Sequence, residues 1–224
     1  MQRKTLPLVL LVTLFAHQLV GQPSRSDPVD VQARFGVQAN LNLPKKWEGS
    51  LGYEGRMIGD ASVYSGSYFD GELGRPYGKH LTFFGNYRYA RITGAESHRL
   101  GTGFEWEKKA DHFSVSFRPI FQYELKNVDD AEQGSKEALR TRLKVKVPAT
   151  KRFTLYGSVE PYFAFTGIYP IDNWRNTVGV QWEFMKKRKV DLYYIYRPDY
   201  SKQLYNRTYH IFGAGVTTDV KFPR

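Results

Sequence analysis

Apolar and polar residues alternate along most of this chain with a period of two. From Val31 to Leu43 the odd positions Val31, Ala33, Phe35, Val37, Ala39, Leu41 and Leu43 are apolar, and Gln32, Arg34, Gln38, Asn40 and Asn42 lie between them. Such a period puts successive side chains on opposite faces of a β-strand. The scheme recurs about eleven times. Leu51, Tyr53 and Met57 alternate with Ser50, Glu54 and Arg56, Phe69 and Leu73 with Asp70 and Glu72, and Leu81, Phe83, Tyr87 and Tyr89 with Thr82, Asn86 and Arg88. Further runs set Leu100, Phe104 and Trp106 against Arg99, Glu105 and Glu107, and Phe113 to Tyr123 against Ser114, Ser116, Arg118 and Gln122. Leu139, Leu143, Val145 and Val147 interleave with Arg140, Arg142, Lys144 and Lys146. Four more runs span 153–165, 174–184, 190–198 and 208–222.

Each run has about the 9 to 13 residues that a tilted strand needs to cross a bilayer. The predicted fold is therefore all-β, a single closed antiparallel transmembrane β-barrel of about 10–12 strands. Its apolar face meets lipid and its charged face lines the lumen. Connections after odd-numbered strands are short and basic; those after even ones, notably 126–137 and 199–206, are longer. Short periplasmic turns and longer external loops are the habit of outer-membrane barrels. Bacterial barrels usually have an even number of strands, so residues 22–30 are expected to add a short twelfth strand or to thread the lumen, with Pro23 and Pro28 disfavouring a regular strand. Pro119, Pro161 and Pro198 inside later runs predict bulges.

The aromatic fraction of 16% and the absence of cysteine fit this picture, since stability must come from pairing and packing alone. Trp47, Trp106, Phe113, Phe153 and Trp182 gather toward the short turns, and Phe165, Tyr169 and Trp174 toward the long loops, as interfacial girdles would. Residues 1–21 read as a cleaved signal peptide, with Arg3 and Lys4 ahead of the apolar run Leu6–Phe15 and Gly21 at the cleavage point. The domains are then the leader at 1–21, the N-terminal segment at 22–30 and the barrel at 31–222, exported to the outer membrane. The net charge of +11 falls to +9 on cleavage, and its basic residues are dispersed among turns rather than gathered in one patch, which argues against nucleic acid as a partner.

Several short sequences carry a resemblance: Glu54-x-Arg56, Tyr87-Arg88-Tyr89, His98-Arg99, Leu139-Arg140-Thr141-Arg142, Glu160-Pro161-Tyr162 and Tyr194-Ile195-Tyr196-Arg197. Together they resemble the outer-membrane barrels of domain-of-unknown-function family 2490, common in Bacteroidetes-type Gram-negative bacteria. The resemblance covers nearly the whole mature chain. It implies a barrel in the outer membrane, with outer-membrane lipid and the barrel assembly machinery as partners, and no activity. Such barrels often end on an aromatic residue, whereas Phe222 here is followed by Pro223 and Arg224.

Counted from the short turns, Glu54, Arg88, Glu160 and Arg197 lie at one height, with Arg56 nearby and Arg118 slightly lower. They predict a charge belt in the lumen that must be paired, because unpaired buried charge is costly. Arg140, Arg142, Lys144 and Lys146 predict a basic lumenal stripe that favours small anionic solutes wherever Glu124 and Glu160 do not neutralise it. The expected function is a structural or narrow, porin-like barrel. The alternatives are a lipase- or acyltransferase-type enzyme and a soluble exported barrel. Catalysis is not expected, since Ser97 and His98 are adjacent and point to opposite strand faces. No cofactor or metal is expected, because no ligand cluster or phosphate-binding loop is present. Asp129, Asp130, Glu132 and Glu137 form an acidic loop segment, read as solvated charge.

Overall fold

The computed structural model describes residues 29–128, 134–165, 171–200 and 207–222. Strands form where the alternation is. They are β1 (Val29–Asn42), β2 (Glu48–Ile58), β3 (Val63–Tyr77), β4 (Leu81–Ile92), β5 (Ala95–Lys109), β6 (Ser114–Val128), β7 (Gly134–Pro148), β8 (Phe153–Ala164), β9 (Ile171–Met185), β10 (Arg188–Asp199) and β11 (Arg207–Lys221). Each pairs with its sequence neighbours, and the sheet closes into a barrel.

The closure corrects the expectation of an even, wholly antiparallel barrel. Eleven strands running alternately up and down leave the first and last pointing the same way. β1 and β11 accordingly pair in parallel, from Val29↔Thr208 to Asn42↔Lys221. Parallel pairing is slightly weaker per residue, but the seam runs the full length of β1 and leaves no open sheet edge. No twelfth strand is needed: Val29 and Asp30 already belong to β1, while the rest of the 22–30 segment and the leader lie outside the described residues.

Exposure settles which face looks outward. Leu51 is 60% exposed, Leu100 59% and Phe212 56%. The lumenal residues Gln122 and Ile211, by contrast, are 1% and 0% exposed. A soluble barrel would bury the first set instead, because burying that much apolar surface is its main source of stability. At the short-turn end, Phe153 stacks on Trp182 with ring centroids 6.2 Å apart, and Trp106 and Phe113 also face out, as a girdle requires. Toward the other end Phe165 is exposed and lies against Phe121 with ring centroids 5.9 Å apart; Tyr169 lies outside the described residues.

The loop expectation holds only in part. The β2–β3 and β4–β5 connections at the far end are as tight as the basic turns: 59–62 is a four-residue turn, and Thr93–Gly94 joins the pair Ile92↔Ala95 with Gly94 at φ 70°. β6 and β7 extend through most of the segment predicted as a loop. Glu137 sits in β7, and Asp129, Asp130 and Glu132 lie outside the described residues.

The prolines do not create the predicted bulges. The β5–β6 ladder passes from Gly103↔Ile120 to Trp106↔Phe117 with register unchanged, and pairing lapses beside Pro119. The β7–β8 ladder lapses beside Pro161 and the β10–β9 ladder beside Pro198 in the same way, while each proline keeps its partner on the other side. A missing N–H thus removes bonds on one flank without adding a residue. The actual register shifts fall at Arg56/Met57, Tyr162/Phe163 and Arg188/Lys189.

Gly103 makes the Pro119 crossing possible, because a Cβ there would overlap the Pro119 carbonyl oxygen and backbone. Gly103→Ala should therefore lower stability by about 1–3 kcal/mol, as overpacking does. Gly85→Ala, whose Cβ would stand 3.8 Å from the nearest atom, should be nearly neutral. The urea midpoint of heat-modifiable gel migration measures both.

Candidate functional site

Strand register carries the belt into place. Following cross-strand partners around the tilted sheet brings Arg34, Glu54, Arg88, Arg99, Arg140, Glu160 and Arg175 to about one height on the inner face, with Arg197 beside them. Arg118 and Arg142 are cross-strand partners one step nearer the short turns. All six residues predicted for the belt face the lumen, and so do all four of the basic stripe.

Glu54 and Arg56 pair with each other, and Glu160 pairs with Arg140 of the stripe, whereas Arg88, Arg118 and Arg197 take partners outside the predicted belt. Arg56 Nε donates to Glu54 Oε1 at 2.6 Å, within one strand. Arg88 grips Asp70 with two nitrogens, at 2.5 and 3.0 Å. Arg118 bridges Glu72 and Glu105, the latter at 2.9 Å. Glu160 holds Arg140 through two nitrogens and stands 3.5 Å from Arg175. Arg197 lies 4.0 Å from Asp199. The alternation marks Asp70, Glu72, Glu105 and Arg175 as inward-facing, but only cross-strand register shows that they complete the belt. Glu124, expected to offset the stripe, instead accepts a hydrogen bond from Ser97 at 2.6 Å.

Aromatic faces carry part of the positive charge. Arg56 lies 3.6 Å from the Tyr68 ring centroid with Arg88 at 5.5 Å from the same ring, Arg118 lies 3.8 Å from Phe84, and Arg197 lies 4.1 Å from Tyr209. Guanidinium suits this role because it is planar and weakly hydrated, and ring quadrupoles attract it.

Three arginines are left over. Arg34, Arg99 and Arg142 take part in no ion pair among the described residues, and the Nε of each is buried without a hydrogen-bond partner. Each stands directly across the ladder from an arginine that is paired: Arg34 from Arg56, Arg99 from Arg88 and Arg142 from Arg118. Like charges placed opposite one another destabilise a sheet. The lumen therefore carries three adverse cation pairs at and just below its middle.

Below the belt the lumen opens into a vestibule of about 690 Å³ on the short-turn side, lined among others by Phe84, Arg118, Arg142, Lys144 and Lys146. At belt height Gln122 and Ile211 fill the interior. The stripe runs from one region into the other. Arg140 is neutralised by Glu160, Lys146 stands 4.0 Å from Glu107, and Lys144 rests 3.9 Å from the centroid of Tyr156 with no ion pair among the described residues.

The Ser97 and His98 pair separates as the strand geometry predicts. Ser97 faces inward on Glu124, and His98 faces outward, where Nδ1 and the Tyr87 hydroxyl share a 2.8 Å hydrogen bond.

The model of the family described as protein of unknown function, DUF2490, matches residues 32–207. The chain belongs to that family. Among solved structures it is similar to the NanC porin in its rhombohedral crystal form, with 10% identity and a TM-score of 0.52, covering 75% of this chain and 86% of that one. At that identity the likeness is one of fold, a porin-type barrel. No curated protein matches the sequence.

Glu160 is the carboxylate with most depending on it. Glu160→Gln leaves Arg140 and Arg175 facing each other without compensation, and removing one partner of such a buried pair costs about 3 kcal/mol. Urea unfolding in detergent micelles should show that loss, and Glu160→Asp should recover part of it.

Proposed function

We propose that this family member is an outer-membrane barrel that forms a narrow pore preferring small anions. The observation that carries the reading is the set of like-charge arginine pairs. A lumen shaped only for stability would engage Arg34, Arg99 and Arg142 in ion pairs, as it does Arg88 and Arg118; Glu124 stands across the β5–β6 ladder from Arg99, yet it is held by Ser97 and forms no ion pair with that arginine. Leaving them open keeps positive potential in a low-dielectric passage, where an anion supplies the missing counter-charge. The outward apolar band, the aromatic girdles and the exported leader read at residues 1–21 support the location in the outer membrane. Among the described residues no His-activated nucleophile faces either leaflet, and the reading is non-enzymatic.

The filled interior at belt height favours a second reading, a closed barrel that serves as scaffold. Planar-bilayer recording of the purified protein separates them. The pore reading expects small, chloride-over-potassium selective currents whose selectivity falls toward unity in the Arg34→Gln, Arg99→Gln, Arg142→Gln triple variant. Absence of current from protein shown to be folded by heat-modifiable migration would favour the scaffold. Recovery of the native protein in a soluble fraction would remove both.

A further inference from the structure

Apart from Lys79 at the β3–β4 turn, the charge in the vestibule that no ion pair engages is sorted by wall. Around the ring of eleven strands, β1 lies diametrically opposite the β6–β7 seam. The β7 wall presents Arg142, Lys144 and Lys146. Arg142 and Lys144 have no acidic partner among the described residues, and the Arg142 Nε is buried without an acceptor. On the opposite side, the two strands that flank β1 present Glu48 and Asp219 to the same cavity. Neither belongs to an ion pair among the described residues, and Asp219 only accepts a hydrogen bond from Asn40, at 2.8 Å. The remaining vestibule carboxylates are engaged: Glu72 and Glu105 by Arg118, and Glu107 by Lys109 and Lys146 at 3.6 and 4.0 Å.

Opposite charges that line one cavity and do not meet create a field across it. Their separation can be estimated. Eleven strands about 4.8 Å apart and tilted about 40° give a barrel about 22 Å across between backbones, and the side chains reaching in from both walls leave about 10 Å between charged ends. A solute that satisfies both walls at once needs a negative end and a positive end that far apart. An extended peptide covers about 3.3–3.6 Å per residue, so three residues span the gap. On the acidic wall itself, beside Glu48 and Asp219, stand the neutral hydrogen-bonding groups of Gln38, Asn40 and Ser50, which suit the peptide amides next to the ammonium end.

We propose that the vestibule at the short-turn end binds short zwitterionic peptides of about three residues. The carboxylate meets Arg142 and Lys144, and the ammonium meets Glu48 and Asp219. Binding needs no passage through the belt, so the proposal stands apart from conduction.

Calorimetric titration of the detergent-solubilised full-length barrel tests it, with trialanine, N-acetyl-trialanine and trialanine amide as probes. Trialanine should bind about tenfold more tightly than either end-blocked form, as loss of one charge-assisted contact implies. The Glu48→Gln, Asp219→Asn double variant should bring trialanine down to the level of its N-acetyl derivative while leaving that derivative's affinity unchanged. Both substitutions are at the cavity mouth, and heat-modifiable migration verifies folding. Equal binding of trialanine and N-acetyl-trialanine would overturn the proposal in favour of a plain anion site. Absence of binding at millimolar peptide would overturn it outright. Anion-selective current without peptide binding would leave the pore reading intact and remove only this one.

Discussion

A backbone amide that faces hydrocarbon without a partner costs several kcal/mol, because lipid offers no replacement for the lost hydrogen bond. The rest of this structure follows from that constraint. An open sheet of eleven strands would leave two edges of unpaired backbone groups, so the sheet closes even though closure makes β1 and β11 run in the same direction. The parallel seam is the consequence of an odd number of strands under a rule that forbids edges. The same rule explains how the prolines are tolerated. Pro119, Pro161 and Pro198 lapse from one ladder and keep the other, so the interruption stays local and register is preserved.

Closure also determines the chemistry of the interior. The closed sheet turns its apolar face outward and so commits every polar position to a space too small to hydrate each one freely. Arginine is the residue that fits such a space, because a single guanidinium can bond a carboxylate at its edge and rest on a ring with its face. Arg88 does both with Asp70 and Tyr68, and Arg118 with Glu72, Glu105 and Phe84. Where the carboxylates run out, the arginines of neighbouring strands confront each other. Those sites and the sorted walls of the vestibule are where stability alone does not account for the arrangement.

Much of this was legible in the residues. The eleven alternating runs, the common strand face of Glu54, Arg56, Arg88, Arg118, Glu160, Arg197 and of Arg140 to Lys146, and the separation of Ser97 from His98 all follow from a two-residue period. That period is a property of the backbone, and each strand expresses it without reference to its neighbours. The short β2–β3 and β4–β5 turns were missed in the expectation of long external loops, although Gly94 is the residue type that a tight turn with positive φ demands.

The amino-acid order by itself determined that each strand would carry one greasy and one charged face, because pleat direction is local, and the closed sheet decided which face looks outward. Only the tertiary structure decided that the barrel closes on a parallel seam, that Arg88 finds Asp70 rather than Glu54, that Arg34, Arg99 and Arg142 are left facing other arginines, and that the cations of β7 look across a cavity at Glu48 and Asp219. Those outcomes depend on register and on the tilt of a closed sheet. They join residues far apart in the chain, and no repeat within a single strand can encode them.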